Sequence, residues 1–217
     1  MGKLAASILS ADHAHLAAQV KLVEASADLI HVDVMDAHLV PPLTIGAVVV
    51  AGVRPHTERV LHGHLAARAP EGLFEDLAEA GMDVVSFHVE GVDAPAPVIE
   101  KVRGVGMRAG IAMDARTPVE TILPYLDEVD DVVIVSSPGS LRPPDDRAVA
   151  AIEAARAEVE RRGLPTDVQI EGGVTLANAG RLVDAGATVL VAGSAIFGAR
   201  DVAAAAAELK AAVRGDA

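Results

Sequence analysis

The sequence predicts a (β/α)8 barrel that takes in residues 1–217 as a single domain. Short β-rich runs alternate eight times with longer segments of helical periodicity, the pattern of βαβ units built on a parallel sheet. A chain of 217 residues buries one sizeable core and has the length for eight such units. Polar and ionisable residues gather at the ends of successive β-rich runs, which is where a barrel of this kind carries its chemistry.

Taken in chain order, the candidate strands are residues 4–9, 29–35, 59–65, 83–88, 108–113, 131–136, 167–171 and 188–192. Amphipathic stretches lie between them, for example 16–25, 73–80, 98–104, 146–162 and 176–185, and the Ala-rich segment 201–214 reads as a closing helix. Two helical stretches end in Ala-Gly ahead of a strand, at Ala80-Gly81 and Ala185-Gly186, where glycine takes the left-handed conformation that closes a helix. No Pro/Gly/Ser-rich linker and no block of charge divides the chain.

Hydrophobic residues make up 51% of the sequence but aromatic ones only 2%, so the core is expected to be Val, Ile, Leu and Ala, with no stacking platform for nucleobases. With 18 basic against 31 acidic residues, a net charge of -13 opposes binding to nucleic acid or anionic lipid. A phosphorylated substrate would need a local pocket of donors. The absence of cysteine removes disulfides and thiolate chemistry and fits a reducing cytoplasm. The segment before Asp12 lacks a long apolar run, and no later run reaches membrane-spanning length, so the expected protein is soluble, unexported and cytoplasmic.

The chemistry concentrates at His31-Val32-Asp33-Val34-Met35-Asp36, because His and Asp two apart on a strand point to the same side. Ser7, His64, His88 with Glu90, Ser136 with Ser137, Glu171 and Ser194 also fall near predicted strand ends. Crowding ionisable groups into a buried strand end is costly unless they pair or bind a metal. His31, Asp33, His64 and Glu171 form a mixed nitrogen and oxygen set that suits one divalent Zn, Fe, Mn or Co ion better than Ca or Mg. The plainer reading is core histidines paired with carboxylates, and a Glu171 that only caps the following helix.

Beyond these residues, the runs Ser7-Ile8-Leu9-Ser10-Ala11-Asp12, His31-Val32-Asp33-Val34-Met35-Asp36, His64-Leu65, His88-Val89-Glu90, Pro138-Gly139, Gly172-Gly173 and Val191-Ala192-Gly193-Ser194-Ala195-Ile196-Phe197 occur in order. In this the chain resembles the ribulose-phosphate 3-epimerase family over nearly its whole length. The resemblance implies a metal-dependent epimerase that inverts C3 of a ketose phosphate through a cis-enediolate, by default D-ribulose 5-phosphate to D-xylulose 5-phosphate. It implies Asp33 and Glu171 as the two acids working on opposite faces, and His31, Asp33, His64 and Glu171 as the ligands of the metal. It also implies a phosphate site after the seventh and eighth strands, where Gly172, Gly173, Gly193 and Ser194 offer close-approaching main chain. Ser7, Met35, Gly139 and Arg142 complete the expected substrate contacts. A symmetric homo-oligomer is also in keeping with the family.

Several positions depart from the family pattern. Glu171 stands where the family has aspartate, and one extra methylene moves a carboxylate by roughly 1.5 Å when a misplacement near 1 Å can cost about 100-fold in rate. Ser136 to Pro143 replaces a lid that carries Val-Asn-Pro-Gly and then Phe-Gly-Gly-Gln, so the loop loses Gly-Gly and gains Arg142, which faces either the substrate's anionic end or water. Ala66 and Ile134 replace methionines, and His62 replaces an aspartate two residues before His64, leaving open whether its imidazole faces metal or solvent. Two alternatives follow from these changes. One is an epimerase of another ketose phosphate in a specialised pathway. The other is a sugar-phosphate-binding homologue without turnover.

Overall fold

The structure is a computed structural model that describes residues 2–136 and 142–215. Its strands are β1 (Lys3–Ser7), β2 (Leu29–Met35), β3 (Val60–Ala66), β4 (Val84–His88), β5 (Arg108–Asp114), β6 (Asp131–Val135), β7 (Asp167–Glu171) and β8 (Val189–Ala192). They pair in parallel in sequence order, and β8 returns to β1 to close the barrel. Around it run α1 (Leu16–Val23), α2 (Ala47–Val53), α3 (Phe74–Glu79), α4 (Pro95–Gly104), α5 (Asp146–Arg162), α6 (Leu176–Asp184), α7 (Ser194–Phe197) and α8 (Val202–Arg214).

Strand alternation sorts the side chains into two environments. Ile30, Val32 and Val34 of β2, Leu61 and Leu65 of β3, and Val168 and Ile170 of β7 belong to the large apolar cluster shared with the helices. The residues between them, His31, Asp33, His62, His64, Gln169 and Glu171, therefore occupy the other face of their strands, inside the barrel. There the apolar clusters are small, such as Ala5 with Val189 and Val191, or Ala112 with Val133 and Val135. Register then brings the polar residues side by side: Ser7 opposite His31, His31 opposite His62, and Asp33 opposite His64.

Local departures from the sequence expectation have identifiable causes. The first strand stops at Ser7, because Ile8–Ser10 turns into a 3-10 helix that carries the chain over the barrel rim. The fourth helix begins earlier than residue 98, with Pro95 at its first turn, where a missing N–H costs nothing. After β5 the chain forms 3-10 turns at Val119–Thr121 and Leu123–Glu128 in place of an α-helix, with Pro118 and Pro124 interrupting any longer run. Gly81 and Gly186 do close their helices in the left-handed region, with φ of 91° and 107°. A side chain at either would also collide with an arginine stem, of Arg54 or Arg156.

Candidate active site

Four strand-end side chains from three strands converge inside the barrel. His31 and Asp33 come from β2, His64 from β3 and Glu171 from β7, and one ligand atom from each lies within 4.8 Å of every other. Glu171 Oε2 stands 3.0 Å from His31 Nε2 and 2.9 Å from His64 Nδ1. Asp33 Oδ1 stands 3.5 Å from His31 Nε2 and 3.3 Å from His64 Nδ1. Its second oxygen is engaged elsewhere, accepting the Ser7 hydroxyl at 2.6 Å. The extra methylene of Glu171 does not carry the carboxylate past the cluster.

The donor set fits a divalent metal on the structure's own terms. His31 Nε2 and Glu171 Oε2 are buried without a hydrogen-bond partner, although each sits close to the other. Such orphaned atoms aimed at one point are accounted for by an ion shared between them. Two imidazole nitrogens and two carboxylate oxygens match the borderline ions Zn, Fe, Mn or Co.

Without an ion, charge pairing dominates the site. Burial opposes charge on His31, but Asp33 and Glu171 outweigh it and raise the imidazole to about 9. His64 rises to about 10 against the same burial, chiefly through Glu171. Burial also works against the Asp33 carboxylate, and the adjacent His31 nevertheless holds it well below the ordinary range. Glu171 is lowered as well, against both burial and the neighbouring Asp33 charge, by His64 and His31.

A cavity of about 300 Å³ opens over the cluster, lined among others by Ser7, Met35, Asp33, Glu171, Gly172, Gly173, Gly193 and Ser194. Gly172 and Gly173 follow β7 with φ of 94° and 63°, a conformation other residues rarely adopt. A Cβ on Gly173 would lie 2.3 Å from the Arg142 carbonyl oxygen, so this glycine lets the chain after the 137–141 segment pack against the cavity wall. The Arg142 side chain is exposed and outside the cavity lining. Gly139 lies outside the described residues.

His88 and Glu90 tie loops together, with His88 Nδ1 2.8 Å from Glu90 Oε2, while Glu90 Oε1 accepts the Asp114 N–H and the Thr117 hydroxyl. His62 meets the cluster through His31 and does not face solvent: it is fully buried between His31 and a group made of Ser86, Asp131 and Gln169. Burial pulls it below its ordinary value even with Asp131 beside it. Burial acts against the Asp131 carboxylate too, but His62 and Ser86 keep it low. Sequence reading did not single out Ser86, Asp131 or Gln169. Their signal is present only as polar residues at inward positions of otherwise apolar strands.

Comparison with known proteins points one way. The Ribulose-phosphate 3 epimerase family model matches residues 3–197. The chain is 41% identical over 213 residues to the chloroplastic ribulose-5-phosphate-3-epimerase of Arabidopsis thaliana, covering 96% of this chain and 76% of that one. It is 37% identical over 205 residues to the ribulose-phosphate 3-epimerase of Bacillus subtilis, covering 93% and 94%. Among solved structures, 3-hexulose-6-phosphate synthase from Salmonella typhimurium superposes with a TM-score of 0.76 at 18% identity, over 99% of this chain and 100% of that one. This last likeness is one of fold alone.

Proposed function

Since the chain belongs to the ribulose-phosphate 3-epimerase family, we propose that it inverts C3 of a pentulose phosphate, interconverting D-ribulose 5-phosphate and D-xylulose 5-phosphate. The observation that carries the reading is the convergence of His31, Asp33, His64 and Glu171 beside a cavity that Gly172, Gly173 and Gly193 also line.

The four side chains would hold one divalent ion, which when bound would supply Lewis acidity that makes the C3 proton more acidic. Asp33, ionised, removes the C3 proton from one face, and Glu171, which must enter the turnover as the neutral acid, gives its proton to the other, so configuration inverts and exchange with solvent resets the pair. In the reverse direction the two carboxylates exchange roles. The Ser7 hydroxyl occupies Asp33 Oδ2 and so fixes the carboxylate plane, leaving Oδ1 toward the cluster. Main-chain N–H groups around Gly172, Gly173, Gly193 and Ser194 take the phosphate, a local concentration of donors in a chain whose net charge of -13 repels anions overall. Met35, with Leu9 and Pro42, gives the cavity an apolar lining against which the sugar carbons lie, and Val40 and Ala66 pack behind Met35.

The reach of Glu171 to both imidazoles favours a working proton donor over a binding protein that has lost turnover. A panel of pentulose and hexulose phosphates offered to metal-loaded protein tests the substrate. Conversion of D-ribulose 5-phosphate as the fastest member supports the reading. Conversion of a hexulose phosphate alone contradicts it.

A further inference from the structure

A second buried polar cluster touches the metal ligands from the side away from the cavity, and the reaction described above uses none of it. His62, Ser86, Asp131 and Gln169 are each less than 5% exposed, and none lines the cavity. They sit on the inward faces of β3, β4, β6 and β7. Between them β5 carries Gly110, which lies opposite Ser86 on one side and Asp131 on the other. A Cβ there would come within 2.2 Å of Ser86 Oγ and 2.3 Å of Asp131 Oδ1, so the glycine leaves the space that the pair fills.

The hydrogens in this cluster can be followed one at a time. An ionised Asp131 only accepts. Ser86 has a single hydroxyl hydrogen and gives it to Asp131 Oδ1 at 2.6 Å. Ser86 Oγ therefore meets His62 Nε2, 2.9 Å away, with a lone pair, and Asp131 Oδ2 faces the same nitrogen at 3.3 Å. A ring nitrogen surrounded by acceptors has to carry the hydrogen. Gln169 adds to the case: its amide lies 3.1 Å from this nitrogen, and its oxygen is buried without a partner. A half-turn of the amide, which exchanges O and N, gives that oxygen the His62 N–H.

A neutral His62 with its hydrogen on Nε2 turns a bare Nδ1 toward His31 Nδ1, 3.1 Å away. His31 Nδ1 must then be the donor, so Nε2, which faces Asp33 and Glu171 and shares a proton with them while no ion is bound, is the nitrogen whose lone pair a metal would take once that proton leaves. The opposite arrangement would put a hydrogen on the nitrogen that has to ligate. Resting on the reading of His31 as a metal ligand, we propose that Asp131 is a positioning residue for the metal site, acting through Ser86 and His62 to hold a hydrogen on His31 Nδ1 and so leave Nε2 as the nitrogen that ligates. It is an extended form of the carboxylate-histidine-metal arrangement, with an imidazole inserted between the carboxylate and the ligand.

Long-range proton-nitrogen NMR on protein labelled with 15N-histidine, metal-free and loaded with Zn2+, reads the His62 tautomer directly. The expected form in both states is protonated at Nε2 and bare at Nδ1. Zinc affinity, measured by competition with a chelator, should fall about 10- to 100-fold in Asp131→Asn. It should recover in the double variant His62→Asp with Asp131→Asn, where a carboxylate accepts the His31 Nδ1 hydrogen directly. A merely structural role for Asp131 would lower the melting temperature without this rescue. A wild-type His62 protonated at Nδ1 overturns the proposal, as does unchanged zinc affinity in a folded Asp131→Asn. The wild-type tautomer decides the matter even if Asp131→Asn does not fold. Wild-type protein that binds no divalent metal overturns the metal reading together with the proposal, and is distinguishable from a wrong tautomer.

Discussion

At the scale of single residues, the proposed function gives Asp33 and Glu171 two purposes each, as ligand and as proton carrier, and their variants test these. Asp33→Asn keeps shape but loses the base, so kcat should fall by about 100- to 10,000-fold while the chain stays folded. Steady-state kinetics beside a thermal melt checks both parts. Glu171→Asp is more discriminating. Glu171 Oε2 already sits 3.0 and 2.9 Å from the two imidazoles, so shortening the arm withdraws it. The expected result is a drop in kcat/KM of about 10- to 100-fold, although the family pattern has aspartate there. A gain would mean that the backbone around β7 moves inward to serve the shorter side chain. The convergence of His31, Asp33, His64 and Glu171 was legible as a sequence pattern because strand-end His and Asp recur in order. The reach of Glu171 was not legible, because it depends on where β7 ends relative to β2 and β3. Asp131 escaped notice for a related reason: one inward aspartate at the start of an apolar strand looks like the residue that begins it.

At the scale of elements, connections set the site's mechanics. Gly173→Ala places a methyl 2.3 Å from the Arg142 carbonyl in a backbone at φ of 63°, so the main chain around the proposed phosphate end must shift. KM should rise several-fold with kcat less affected, as expected for loss of uniform binding. Glu90 binds the end of β4 to the turn after β5 through His88, Asp114 and Thr117. Burial opposes its charge, but the His88 contact and these donors lower it from 4.5 to about 2. A depressed carboxylate stabilises the fold fully above its unfolded value. As pH falls, the unfolded chain takes up the proton first, and the stabilisation fades between about 4.5 and about 2. The melting advantage of wild type over Glu90→Gln should therefore be constant above pH 5 and shrink below pH 4.5. An advantage independent of pH would remove Glu90 from this role. The strands and the long helix Asp146–Arg162 were readable from periodicity, and β2 and β7 have the expected ends. The segments that were not readable are short ones. Ala47–Val53 is apolar throughout and gives no helical stripe, and the turns after β5 have prolines that break the pattern.

At the scale of the molecule, the proposed metal site links strands that are distant in sequence. His31, His64 and Glu171 belong to β2, β3 and β7, so an ion held among them crosses the barrel interior and binds only the folded chain. At 100-fold excess over its dissociation constant such an ion stabilises by about 2.7 kcal/mol. For a chain of 217 residues, that corresponds to a loss of roughly 5–10 °C in melting temperature on chelation. An unchanged melting temperature would indicate that the four side chains pair among themselves and hold no ion. The net charge of -13 keeps the rest of the surface from competing for the anionic substrate, so affinity for phosphate has to come from the cavity wall and should depend only weakly on ionic strength. The measurement that bears most directly on the whole account is proton NMR of D-ribulose 5-phosphate with metal-loaded protein in deuterated buffer. Loss of the C3 proton signal, with deuterium in its place and D-xylulose 5-phosphate appearing, is the predicted result. Protein that is folded and carries one metal ion per chain, yet leaves the C3 proton in place, would contradict it.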